Sequence, residues 1–199
     1  SLEEEPEPEP EPVPAMSLAL GDSERRRVTM LNCVLHIDSV DDDDDELDPE
    51  ELADLLSGIE NISQAIADQY EGYRLPSQPQ EISIVFGYPH AHDDDARRAV
   101  PAGLATLDRI RDTIIPTVDE DEISVSTHAA AHSGLVVFDD SMTDSEGTSV
   151  IGRVPGITSW LQTIAPADAL VVSQQTHRLI STHFTSTDIG SHKHAQSAG

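Results

Sequence analysis

The 199 residues carry 38 Asp and Glu against 11 Lys and Arg, a formal net charge of −27 at pH 7. Self-repulsion on that scale favours solubility and opposes binding to nucleic acid or an anionic membrane, and also to a nucleoside triphosphate unless metal ions or a local basic patch intervene. Cys33 is the single cysteine, which excludes an internal disulfide and a cysteine-based zinc site, and no apolar stretch approaches the ~18 residues that span a bilayer.

The length suits one domain with tails. Hydrophobic residues make up 37% of the chain, but the polar excess is concentrated in Ser1–Ser17 and in the run Asp41–Glu46. The opening EEEPEPEPEPVP buries no apolar surface and its prolines remove backbone donors, so 1–23 reads as a disordered, charge-stiffened linker. Such linkers separate domains. With the opening Ser-Leu, which shows no signal-peptide pattern, it reads as the edge of a longer protein in a reducing, cytoplasmic setting, membrane-anchored or not.

A domain is expected over 24–190. After Arg25–Arg27, the run VTMLNCVLHI is mostly apolar and rich in β-branched residues, as in a buried strand. The Asp run then forms a solvated loop, because it lacks the alternation and the glycine of a calcium loop. Asp48-Pro49-Glu50-Glu51 starts a helix with a capping carboxylate, Pro in the first turn and acids near the positive end. Leu52, Leu55, Leu56, Ile59, Ile62 and Ile66 continue it as one stripe to about Tyr70.

Gly72 ends this helix, and Tyr73 opens a short hairpin interrupted by Pro76 and Pro79, which leads to a strand over Ile82–Phe86. Asp93–Asp95 caps the next helix, whose inner face includes Ala99, Ala102, Leu104 and Leu107. Pro101 is expected to kink it or force an early start. Strands over Ile123–Ala131 and Leu135–Phe138 are joined by His132-Ser133-Gly134. A polar loop over Asp139–Thr148, a helix near Pro155–Ile164, a strand over Ala169–Ser173 and a short helix over Thr176–Ser181 complete the domain. A polar tail, 191–199, closes the chain with His192 and His194.

Several of these stretches, in this order, resemble the class III adenylate/guanylate cyclase domain of the bacterial type. They are ERRRVTMLNC, DPEEL, FGYPHAHDDDARRAVPAGLATL, AAHSGLVV and VIGRVPGITSWLQTIAPADALVVSQQTHRLI, covering about Glu24 to Gly190. The resemblance implies an α/β (α+β) fold with a ferredoxin-like βαββαβ core, extra strands and helices clustered on one sheet face.

It also implies a two-metal phosphoryl-transfer site formed between two subunits. By the ungapped match, the two metal-holding aspartates fall on Val34 and Gln80. The purine-reading lysine falls on Pro76 and its acidic partner on Arg153. The ribose-orienting asparagine falls on Gly156, the transition-state arginine on Trp160, and the small glycine of the phosphate-cradling turn on Ile37. None of these carries the chemistry required. A shift in the hairpin would bring Glu81 to the metal position.

Other polar residues have plainer readings. His90 and His92 belong to the helix cap, and His132 and Ser133 point to opposite faces of a strand, which argues against a catalytic pair. Trp160, the only Trp, reads as either core or an interface anchor, and the resemblance, which places the site between subunits, favours the interface. The expectation is therefore a catalytically inactive, pseudo-cyclase regulatory and dimerisation domain of a signalling protein, with no catalytic residues and no cofactor. Its partner is itself or another cyclase-like domain, with no nucleic acid and no membrane insertion of this segment. The alternatives are an active, divergent cyclase making cyclic AMP or cyclic GMP with Mg²⁺ or Mn²⁺, and a nucleotide or small-ligand sensor without turnover.

Overall fold

The computed structural model describes residues 25–39, 49–114, 123–139 and 148–192. The linker, the Asp41–Asp45 run and His194 lie outside these. The elements in chain order are β1 (Arg25–Ser39), α1 (Pro49–Tyr70), β2 (Tyr73–Arg74), β3 (Glu81–Phe86), α2 (Asp95–Thr113), β4 (Ile123–Asp139), β5 (Ser149–Gly152), α3 (Val154–Thr163), β6 (Ala169–Val172) and α4 (Gln174–Ile180). One sheet of order β2-β3-β1-β4-β5 carries β6 as well, paired in parallel to β4. The expected mixed α/β core is present.

The sheet has two unlike faces because side chains alternate along each strand. Odd-numbered residues of β1 and β4 and even-numbered residues of β3 build the larger core, in which Leu31, Cys33, Leu35, Ile82, Ile84, Phe86, Ala129 and Ala131 meet α1 and α2. Leu55, Ile59, Ile62 and Ile66 of α1 are buried there, at the predicted helical spacing. Even-numbered residues of β1, Val28 and Met30, pack with Val85, Val136 and Val154 on the opposite side. α3 therefore lies on the other face, so the expectation of helices on one face holds for α1 and α2 and fails for α3.

β4 corrects a second expectation. His132-Ser133-Gly134 is no turn: β4 runs unbroken from Ile123 to Asp139, in antiparallel register with all fifteen residues of β1. Its outer edge is shared, with β6 pairing His128–Ala131 and β5 pairing Val136–Asp139. The four intervening residues, His132–Leu135, mark the gap between these two neighbours.

Pro101 sits inside an uninterrupted α2, and Leu104 is 46% exposed rather than on its inner face. At the end of α1 the left-handed residue is Glu71 (φ 53°), not Gly72. Gly72 is needed for space, since a Cβ there would come within 2.4 Å of the Ile84 methyl and 3.1 Å of the Phe86 ring.

Arg98 ties the two long helices together. It donates to the Tyr70 carbonyl at the end of α1 at 2.9 Å and to Asp94 and Asp95 at the start of α2 at 3.2 and 2.6 Å. The Asp95 carboxylate also accepts from the His92 backbone N–H at 3.0 Å, so His92 serves the helix start as expected.

Candidate functional site

The β1–β3 register decides what surrounds Val34. Val34 pairs directly with Glu81 on β3 and with His128 on β4, so these three side chains share the α3-side face. Val34 is half-buried. Gln80 is exposed, and its backbone carbonyl accepts from the Leu35 N–H at 2.9 Å. Pro76 lies exposed on the loop that follows Leu75. Val34, Gln80 and Pro76 are thus grouped by the β2–β3 hairpin against β1.

Glu81 is the carboxylate of this group. One of its oxygens accepts from the Asn32 amide at 3.0 Å and sits 3.4 Å from the Ser83 hydroxyl, which also donates to the Asn32 side-chain carbonyl at 3.3 Å. Asn32 and Ser83 are buried. Burial raises the Glu81 carboxyl above its ordinary range, and the Ser83 hydrogen bond opposes that shift in part. Burial also raises the neighbouring Cys33 thiol, with the Asp168 and Glu81 charges acting in the same direction, so it stays protonated. Asn32 stands out in the sequence only as one amide within an apolar strand. Its partner is set by long-range register, which no local pattern encodes.

Behind the hairpin is a cavity of about 40 Å³ lined by Ile59, Ser63, Arg74, Ser77 and Glu81 among others. The Ser63 hydroxyl is buried there without a hydrogen-bond partner among the described residues. The space suits a water molecule and is far below the several hundred Å³ of an ordinary ligand site.

The remaining positions lie on or beside α3. Arg153 is its N-cap, Gly156 is in its first turn and Trp160 one turn further. Their i, i+3, i+7 spacing puts them on one stripe. Trp160 is half-buried against the cluster of Ala130, Leu161, Ala165 and Val171. Gly156 is exposed, and a Cβ there would meet nothing within 4 Å. Gly152, just before Arg153, pairs with Val136, whereas Val34 pairs with His128, eight residues further along β4. At ~3.3 Å per residue the strand separates them by about 26 Å, so one copy does not bring Arg153 to Val34 and Gln80.

Ile37 remains inside β1, paired with Val125 and packed against the larger core, so it lies on a strand rather than in a turn. His36 and His128 meet edge to face, ring centroids 5.1 Å apart, and His128 Nδ1 lies 2.8 Å from the Ala165 carbonyl. His132 and Ser133 leave β4 on opposite faces as expected, yet the Ser173 and Thr176 hydroxyls, 3.0 Å apart, link them into one hydrogen-bonded chain. His132 Nδ1 is 2.8 Å from the Ser173 hydroxyl, while Ser133 bonds Thr29 and Thr176 at 2.8 and 3.1 Å.

The two-metal chemistry of the resemblance does not fit these residues. Val34 has no donor atom, Gln80 offers a neutral amide, and the Glu81 oxygen is already engaged by Asn32. Hard divalent cations require several anionic or carbonyl oxygens. Among the described residues no three His, Cys, Asp or Glu side chains gather as a metal-binding group.

No protein-family model matches the sequence, and no curated protein sequence matches it. Solved structures do match the fold. The guanylyl cyclase domain of the RhoGC fusion protein from the aquatic fungus Blastocladiella emersonii, in its monomeric form, superposes with a TM-score of 0.67 at 16% identity, covering 82% of this chain and 90% of that one. The guanylyl cyclase Cya2 gives 0.69 at 20% identity over 79% of each chain. The adenylyl cyclase CyaB from P. aeruginosa gives 0.66 at 22% identity, covering 81% and 84%. The chain has the fold of a nucleotidyl cyclase catalytic domain.

Proposed function

We propose that this chain is a non-catalytic, nucleotidyl cyclase-like module that acts by pairing with a second cyclase-like domain, itself or another, within a cytoplasmic signalling protein. The observation that carries the reading is Val34, a hydrocarbon side chain beside Glu81 where the resemblance requires an oxygen ligand. The loss extends to both halves of the site. Val34 and Gln80 offer no carboxylate at the two metal positions, and the α3 stripe offers Arg153, Gly156 and Trp160 in place of an acid, an amide and a cation. A partner therefore borrows nothing catalytic from this chain, and what the framework retains is a surface for contact.

The pairing half of the reading is supported by the solved Blastocladiella cyclase domain, which crystallised as a non-canonical dimer as well as a monomer, and by Trp160, which packs on its own core yet stays partly exposed. Charge opposes self-pairing. Two copies at −27 repel, and salt screens that repulsion, with a Debye length of about 10 Å at 0.1 M. Sedimentation equilibrium across a salt series is expected to show a weak homodimer that tightens with ionic strength, and Trp160→Ala is expected to weaken it about tenfold or more. A monomer at every salt and concentration, together with no capture of a less acidic cyclase domain, contradicts the pairing function.

One observation favours a second reading, a divergent cyclase. The Glu81 carboxylate lies directly across from Val34, so a single ion held by Glu81 would sit near the position of the missing ligand. Under that reading turnover of ATP or GTP exists and depends on Glu81.

A further inference from the structure

The ends of β1, β4 and β5 leave one strip of sheet uncovered on the side of α1 and α2. Arg25 pairs with Val137 and Arg27 with Leu135, and Val137 also pairs with Ile151, so these five side chains share a face. Leu135 is 58% and Ile151 43% exposed, and both arginines are exposed. No described carboxylate pairs with Arg25 or Arg27. In a chain so rich in acids, these five side chains are apolar or basic.

We propose that this strip is the docking site for residues Met16–Leu20 of the same chain, with the acidic repeat that precedes them drawn to the arginines. Three observations select this occupant. First, Met16, Leu18 and Leu20 alternate with Ser17 and Ala19, the period of an extended segment with one apolar face. Leu135, Val137 and Ile151 offer a matching apolar row. Second, residues 1–24 hold eight acidic and no basic side chains, complementary to Arg25 and Arg27.

Third, the tether fits. Only Gly21–Glu24 separate Leu20 from the first residue of β1, and four extended residues reach about 14 Å. The strip spans two strand spacings, about 10 Å. A segment held so close experiences an effective concentration in the millimolar range or above, higher than any free partner reaches. The proposal concerns the sheet end remote from Val34 and is independent of the pairing reading.

Hydrogen exchange on the full chain tests it. The amides of Leu18–Leu20 are expected to exchange at least about tenfold more slowly than an unstructured chain. The double substitution Leu135→Ser, Ile151→Ser, at exposed positions, is expected to return them to the unstructured rate while the β1–β4 pairs keep their protection. Unstructured rates for these amides in the native sequence overturn the proposal. So does protection that survives the double substitution, or protection that falls on dilution and so comes from a second copy.

Discussion

Asn32 and Glu81 meet across β1 and β3, the Asn32 amide donating to the Glu81 carboxylate at 3.0 Å on a face where Val34 is the adjoining side chain. The contact satisfies a carboxylate that burial disfavours as an ion. It has a consequence for stability against pH, whose sign follows from the raised carboxyl. Below the ordinary glutamate value of about 4.3, both folded and unfolded chains hold the proton. As pH rises, the unfolded chain ionises first, and the folded chain increasingly carries the cost of a buried charge until it too has ionised. Glu81→Gln keeps the acceptor for Asn32 and removes that cost. The variant is expected to be the more stable protein at pH 7 and to lose that advantage when urea midpoints are compared near pH 3.5. An advantage of equal size at both pH values contradicts the assignment.

His132 titrates in the opposite sense. Burial lowers its value from about 6.5, so on acidification the unfolded chain takes up the proton first. Its contribution is complete above 6.5 and is lost as pH falls through the lowered folded value. His132→Gln is expected to flatten the decline in stability below pH 6.5, read as urea midpoints between pH 7.5 and 5. An unchanged slope in the variant assigns the decline to other groups.

Arg98 joins α1 to α2 through the Tyr70 carbonyl, Asp94 and the buried Asp95. Removing one partner of such a network leaves the others desolvated and unpaired. Arg98→Ala is expected to cost about 2–4 kcal/mol in chemical unfolding. A loss below about 1 kcal/mol would place these bonds among surface ion pairs of little energetic weight.

Gly156 lies in the first turn of α3 with open space around its Cα, so neither steric fit nor a positive φ requires a glycine there. Gly156→Ala is expected to stabilise the domain by about 0.5–1 kcal/mol, because alanine lowers the backbone entropy of the unfolded chain and favours the helix. A destabilised variant would point to a close approach at this position that the isolated chain does not contain.

The elements readable from sequence were those with strong local periodicity. The α1 stripe, the Ile82–Phe86 run and the β-rich run after Arg27 each carried enough apolar pattern to fix element type. Where several strands converge on one, local pattern failed. Ser133 and Gly134 look like a turn, yet β4 continues through them because β1 pairs along its whole length. Helix placement failed for a related reason: the apolar residues of α3 show that it packs on a sheet and do not say on which face. At the site, the match of Val34 and Gln80 to metal-holding positions rests on the resemblance alone, whereas the Asn32–Glu81–Ser83 contact depends on a register between strands about 50 residues apart.

The most direct test of a pairing module without chemistry is the formation of cyclic AMP or cyclic GMP from ATP or GTP by the purified chain, with Mg²⁺ or Mn²⁺, at a concentration where it is dimeric. With Val34 and Gln80 in place of carboxylates, no product above the uncatalysed background is expected from either nucleotide. Clear turnover that disappears in Glu81→Ala would contradict this account and establish the chain as a divergent cyclase with Glu81 as its metal ligand.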